Sequence, residues 1–306
     1  MTNPFRTILV PHDLSAHATR ALEMAAGLAG REGRLIVLHV ANAYENAAVQ
    51  EAVVADARRA LDGVIARTIA ARACPRVECR VETGDAYRKI AEAARGVDSI
   101  VMCTSGRTGV PHLLIGSVAE KVVRHAPVPV LTFRADAPRA RHLFRSILVP
   151  HDFSAHARHA FRLAASLAGP HGRLIVLHVV SALPEMANRM GRQILSQERR
   201  RLARLVGRSG KERRAPTIEC RVEAGDPYRH IAEAARDVDS IVMCTAGRTG
   251  LPHLLIGSVA EKVVRHVAVP LLSLRAGAAR ARRSRSVGTA ARSRSARSRR
   301  RAAATR

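Results

Sequence analysis

Residues 98–125 read DSIVMCTSGRTGVPHLLIGSVAEKVVRH, and residues 239–266 repeat the line with two changes, Ser105 to Ala246 and Val110 to Leu251. The stretch 98–103 has the apolar, β-branched character of a buried strand. Gly106, Gly109 and Pro111 then break it into a loop. A helix is expected from Ser117, with Ser117-Val118-Ala119-Glu120 spelling a capping box. A strand, a glycine-bearing loop and a helix N-terminus in that order make an anion site, because unpaired N–H groups and the helix dipole converge there.

The duplication runs outward from this line to most of the chain. Phe5–Asp13 (FRTILVPHD) returns as Phe144–Asp152 (FRSILVPHD), and Arg34–Val40 (RLIVLHV) returns unchanged as Arg173–Val179. Cys79–Tyr87 (CRVETGDAY) returns as Cys220–Tyr228 (CRVEAGDPY). The offset is 139 for Phe5 and Phe144 but 141 for Cys79 and Cys220, so a two-residue length difference lies between. Units of about 140 residues are domains, too long for solenoid repeats. The expected division is 1–137, 138–275 and a tail at 276–306, with a short linker near 135–142 where Asp136, Pro138 and several arginines interrupt the apolar pattern.

Within the first unit the pattern predicts strands at 7–10, 35–40, 77–81, 99–103 and 128–133. Helices are expected at 15–30, 47–72, 86–95 and 117–125. On the second helix, Val49, Val53, Val54, Ala57, Leu61, Val64 and Ile65 share one face. Strands alternating with helices imply right-handed βαβ crossovers and a parallel sheet. The fold class is therefore α/β: two tandem domains, each an open five-stranded parallel sheet with helices on both faces, Rossmann-like. A ligand belongs beyond the carboxyl ends of the strands, at a switch point of the sheet. Asp13 and the loop 106–117 both follow strands at that edge.

These residues resemble the universal stress protein family in its tandem two-domain form, over about residues 4–134 and 143–275. The family's nucleotide-binding members carry Gly, two residues, Gly, nine residues, Gly-Ser/Thr. Gly106, nine residues and Gly116-Ser117 fit, as do Gly247, nine residues and Gly257-Ser258. The first glycine is replaced by Cys103 and Cys244. The resemblance implies an ATP-binding stress-response or regulatory protein; whether Mg2+ accompanies the nucleotide is left open by the residues. It places Pro11 and Asp13 beside adenine and ribose, Val40 against adenine, and Gly106, Gly116, Ser117 and Val118 around the phosphates. Pro150, Asp152, Val179, Gly247, Gly257, Ser258 and Val259 would repeat these roles. Tandem members also pair their two units internally. The apolar last strands at 128–131 and 269–272 are edges suited to such a pseudo-dimer, and a homodimer is open as well.

Structural duties compete for the same residues. Ser117 and Ser258 could be N-caps alone, and Asp13 and Asp152 could cap the turn or the next helix. His12, His17, His39, His112 and His125 recur in the second unit, but no metal-ligand spacing accompanies them. Cys103 and Cys244 suit small core positions. No GxSxG, P-loop or HExxH occurs, and the only acid expected at the ligand edge of each unit is Asp13 or Asp152. The expectation is a non-enzymatic protein, at most a slow ATPase.

The first strand starts within seven residues of Met1 and no run approaches about 20 apolar residues, so neither a signal segment nor a membrane span is expected. Five cysteines without metal spacing fit reduced thiols in a cytoplasm. Of the net charge of +26, twelve arginines lie in residues 275–306 with no acid, leaving +14 for the rest. The charge suggests nucleic acid or an anionic surface, but Arg outnumbers Lys 47 to 4, which a GC-rich coding bias would equally give. Residues 276–306 read as disordered and dispensable for the fold. They are either a polycation holding nucleic acid or an anionic surface without sequence preference, or an unselected extension. A ligand-free interaction scaffold of the same fold is a further alternative. Residues 41–73 are charge-neutral whereas 181–214 carry +7, so the two units are expected to differ at the adenine side.

Overall fold

The computed structural model describes residues 4–69, 76–104, 115–134, 137, 143–181, 189–207, 215–245 and 256–275. The first half runs β1 (Thr7–Pro11), α1 (Ala16–Ala29), β2 (Arg34–Ala41), α2 (Ala47–Ile69), β3 (Arg76–Thr83), α3 (Ala86–Ala93), β4 (Ser99–Cys103), α4 (Ser117–His125) and β5 (Val130–Phe133). The second runs β6 (Ser146–Pro150), α5 (Ala155–Ala168), β7 (Arg173–Val180), α6 (Arg189–Gly207), β8 (Thr217–Ala224), α7 (Pro227–Ala234), β9 (Ser240–Cys244), α8 (Ser258–His266) and β10 (Leu271–Leu274). The described residues up to Arg275 form one compact unit; the expectation of a disordered tail at 276–306 lies outside the described residues.

The strands join one sheet in the order β3-β2-β1-β4-β5-β10-β9-β6-β7-β8. Each half is parallel throughout, and β5 meets β10 antiparallel, with Leu131 opposite Leu272. The last strands begin after Pro129 and Pro270, two residues later than their apolar run suggests, because proline has no N–H for a ladder. Within each half the order reverses between β1 and β4, and between β6 and β9. These reversals are the switch points.

Side-chain alternation sorts the core onto two faces. Ile8 and Val10 of β1 pack with Ala21, Leu22, Ala25 and Leu61 of α1 and α2. Leu9 packs on the other face with Ile90, Val122 and Val123 of α3 and α4. The second half repeats this, and both clusters extend through the two halves. The α2 face is shorter than its periodicity implies: Ala57, Leu61 and Ile69 are buried, whereas Val49 is 44% exposed. The presumed linker is only partly open to description. Its Ala137 is buried and accepts a hydrogen bond from Arg20 Nη2 at 2.7 Å.

Candidate functional site: the switch-point edge

At the end of β1 the chain turns through Pro11-His12-Asp13-Leu14 before α1. The turn is wired residue by residue. His12 N–H donates to Leu38 O of β2 at 2.8 Å. Leu14 N–H donates to His12 Nδ1 at 3.0 Å, so the imidazole proton sits on Nε2, which faces Thr19 Oγ1 at 3.4 Å. The Thr19 hydroxyl gives its own proton to Ser15 O at 3.1 Å. His39 Nδ1 donates to His12 O at 2.7 Å. Asp13 Oδ1 accepts from Ser15 N–H at 3.1 Å and from Ser15 Oγ at 2.5 Å, while Ser15 Oγ caps α1 by accepting from Ala18 N–H.

Two consequences follow. Asp13 is held at the sheet edge by its own turn and is not the cap of α1, which is Ser15. Leu14 is forced to φ +66°, a left-handed conformation that costs a non-glycine residue energy, and Phe153 repeats it at +66°. Leu and Phe give no sequence hint of a left-handed residue, so this strain has no signature in the sequence. His12 is 3% exposed, and burial depresses its imidazole from 6.5 to about 4 despite Asp13 beside it; His151 behaves alike. Both rings are neutral structural posts.

The β4 end carries the second part of the edge. Thr104 N–H and Oγ1 both donate to Phe133 O, at 2.9 and 3.3 Å, and Gly116 N–H donates to Thr104 O at 2.8 Å. The base of the loop is thereby closed, and Gly257 to Thr245 O repeats it at 2.9 Å. Gly116 and Gly257, at φ −59° and −58°, are the N-caps of α4 and α8. The capping box expected on Ser117 and Ser258 is therefore wrong. Tying Gly116 to Thr104 sets the helix start one residue earlier, leaving Ser117 exposed at the first helical position. Glu120 instead takes Arg124 at 2.9 Å and Arg265 of the second half at 3.4 Å. A glycine cap offers no side-chain acceptor, so the first N–H groups of each helix lack one from their own cap. Among the described residues, a Cβ built on Gly116 would meet only Thr104 O, at 3.4 Å.

Pro11, Asp13, Val40, Gly116, Ser117 and Val118 thus gather at the carboxyl edge of β1, β2 and β4, with Val40 and Val118 packed on the same face of the sheet. Pro150, Asp152, Val179, Gly257, Ser258 and Val259 repeat the arrangement. Gly106 and Gly247 lie outside the described residues. Cys103 closes β4 as an ordinary strand residue, 8% exposed and packed in the core with Val101 and Phe133. Cys244 donates its thiol to Leu274 O at 2.9 Å. Among the described residues no group of His, Cys, Asp or Glu could hold a metal by itself, and no helix is long and apolar enough to cross a membrane.

The halves differ around the turn. Thr19 is replaced by Arg158, which donates to Phe153 O at 3.0 Å, and His151 Nε2 is buried without a hydrogen-bond partner. Phe153 stands where Leu14 does, edge-on to His178 at 4.6 Å, with the Arg201 guanidinium 4.0 Å over its ring.

Comparison with known proteins agrees with this geometry. The profile of the Universal stress protein family matches residues 4–134 and again 143–275. A universal stress protein of Thermus aquaticus is 38% identical over 140 residues, covering 42% of this chain and 99% of its own. One from Mycolicibacterium smegmatis is 26% identical over 293 residues, covering 88% of this chain and 96% of its own. The crystal structure of a universal stress protein from Archaeoglobus fulgidus superposes with a TM-score of 0.67 at 23% identity, over 90% of this chain and all of the other.

Proposed function

Because the chain belongs to the universal stress protein family, in its tandem two-domain form, we propose that it is a cytoplasmic stress-response protein that binds adenine nucleotide, ATP in particular, at both switch points. The observation that carries this is the glycine-capped start of α4 and α8, set at the crevice where strand order reverses. Main-chain N–H groups and the positive helix end would take the phosphates. Gly116, Ser117 and Val118 supply them in the first half, and Gly257, Ser258 and Val259 in the second. Asp13 and Asp152 take the ribose, with Pro11, Val40, Pro150 and Val179 around the base. Gly106 and Gly247 keep the phosphate role that the resemblance gives them. A single carboxylate per site cannot hold a divalent cation alone, so Mg2+ would ride on the phosphates.

The strand angles of Cys103 and its core-directed side chain speak against closure of the site at the position where relatives carry glycine. The buried, weakly basic His12 has its Nδ1 occupied and is itself no ready general base. Occupancy, and not turnover, is the output of this reading, with the two halves acting as an internal pair.

One observation favours a ligand-free scaffold: Asp13 Oδ1 is already satisfied within its own turn. Mass spectrometry of nucleotides released from the purified protein, followed by ATP titration calorimetry, separates the readings. Gly116→Val with Gly257→Val should abolish ATP binding while circular dichroism stays native, because at Gly116 the fold tolerates a Cβ and the phosphate space does not. Unchanged affinity in that variant refutes the site.

A further inference from the structure

The duplicated halves control for one another in charge. Helices α2 and α6 occupy the same place, each after the second strand of its half and each burying an equivalent leucine, Leu61 and Leu202, completely. Helix α2 carries three arginines and three acids. Helix α6 carries six arginines and one acid, Glu198. The coding bias toward arginine acts on both halves, so it does not explain a charge present on one helix.

Packing does not explain it either. Leu202 and Val206 face the core, and a rotation of 100° per residue puts Arg200 and Arg204 on the opposite side, with Arg199 on the flank between that ridge and the core face. All three are exposed. Glu198 is engaged by Arg201 at 3.4 Å, and Arg201 is itself held over Phe153. No described acid pairs with Arg199, Arg200 or Arg204. Arg200 and Arg204 lie one turn apart, where like charges weaken a helix. A repulsive ridge on an otherwise well-packed helix is explained by an anionic partner.

We propose that the outer face of α6 binds the phosphodiester backbone of a nucleic acid through Arg200 and Arg204, with Arg199 reaching the same strand from the helix flank. Guanidinium groups match phosphate oxygens in a bidentate fork. A protein partner would need apolar or aromatic anchors. The large exposed apolar residues among those described are Tyr44, Val49 and Met190, and only Met190 is on α6, more than two turns from the ridge. Insertion into a membrane would need the apolar face that α6 spends on the core. The chain's own C-terminal residues are excluded by sign, since 275–306 hold twelve arginines and no acid. With no aromatic side chain on the ridge, recognition is of backbone and not of sequence. This surface does not depend on the nucleotide reading.

The test is fluorescence anisotropy of the full chain with labelled 20-nucleotide single-stranded RNA and DNA, titrated across 50–300 mM NaCl. Arg199→Gln with Arg200→Gln and Arg204→Gln should weaken binding about tenfold or more at low salt and reduce the slope of log K against log salt by about 2, as expected for three lost phosphate contacts. The charge-matched variant Arg58→Gln with Arg59→Gln and Arg67→Gln on α2 should leave the slope unchanged. Lysine at the three α6 positions should restore most of the binding. Equal losses from both helices, or no loss from α6, would overturn the proposal. So would competition by polyglutamate as effective as that by unlabelled RNA, which would assign the ridge to an acidic polypeptide.

Discussion

His12 and His151 show how a residue type that suggests chemistry can serve structure. Each ring accepts a main-chain N–H on Nδ1 and lies almost wholly out of water, so its charged form is disfavoured and the group titrates near 4 instead of 6.5. The unfolded chain therefore binds more protons than the folded one between pH 6.5 and 4, and stability falls as pH drops through that window. Each histidine withdraws about 3 kcal/mol across it. Glu78 and Glu219 act elsewhere: arginine partners hold them below their usual value, so their contribution is lost only below about pH 4.5. Urea denaturation at pH 7.5, 5.5 and 4.5 should show the loss, and His12→Gln with His151→Gln should flatten it while lowering stability at pH 7.5. A pH-independent midpoint in the parent protein would contradict the buried neutral rings. Cys103 and Cys244 make the converse case: they stand where the family carries glycine, and both are the last residues of their strands. Alanine at both positions should leave ATP affinity unchanged and cost about 1 kcal/mol each in stability; a large gain in affinity would show that the thiols had been obstructing the site.

Secondary-structure elements were legible in proportion to how much of their cause is local. Ser99–Cys103 and Ser117–His125 agree with the sequence to the residue, because a buried β-branched run and an apolar helical face state themselves. The cap did not, since Ser-x-x-Glu is a sound local signal that the Gly116–Thr104 bond overrides from outside the helix. The left-handed Leu14 was illegible for the same reason: its conformation is imposed by acceptors on His12 and Asp13. The N-terminal turns of α2 were over-read, because periodicity does not say where the sheet beneath a helix ends. The misread cap has a consequence for Ser117 and Ser258. As exposed first-turn residues they should tolerate alanine with less than about 0.5 kcal/mol lost from the fold, where true N-caps would cost about 1. If their hydroxyls meet phosphate, the same double substitution should weaken ATP binding about five- to tenfold. A stability loss with unchanged affinity would return them to a capping role.

At the scale of the whole molecule the seam between β5 and β10 decides whether this is two domains or one folding unit. Leu131 and Leu272 face each other in the register and are fully buried. Ser273 Oγ donates to Val130 O at 3.1 Å, and Phe5 stacks on Phe144 at 5.5 Å. Arg265 reaches Glu120, and Arg275 reaches His125 O. The core on the α1, α2, α5 and α6 side continues from Val101 through Leu131 and Leu272 to Val242 without a polar break. A cavity at Leu131 therefore removes contacts from both halves at once. Leu131→Ala should cost about 2–5 kcal/mol. Scanning calorimetry should then show a single transition moved down in temperature, with calorimetric and van't Hoff enthalpies still equal, because neither half can keep its side of the shared core alone. Two resolved transitions, one at the parent temperature, would mean that each half folds independently and that the continuous sheet is only an apposition of two finished domains.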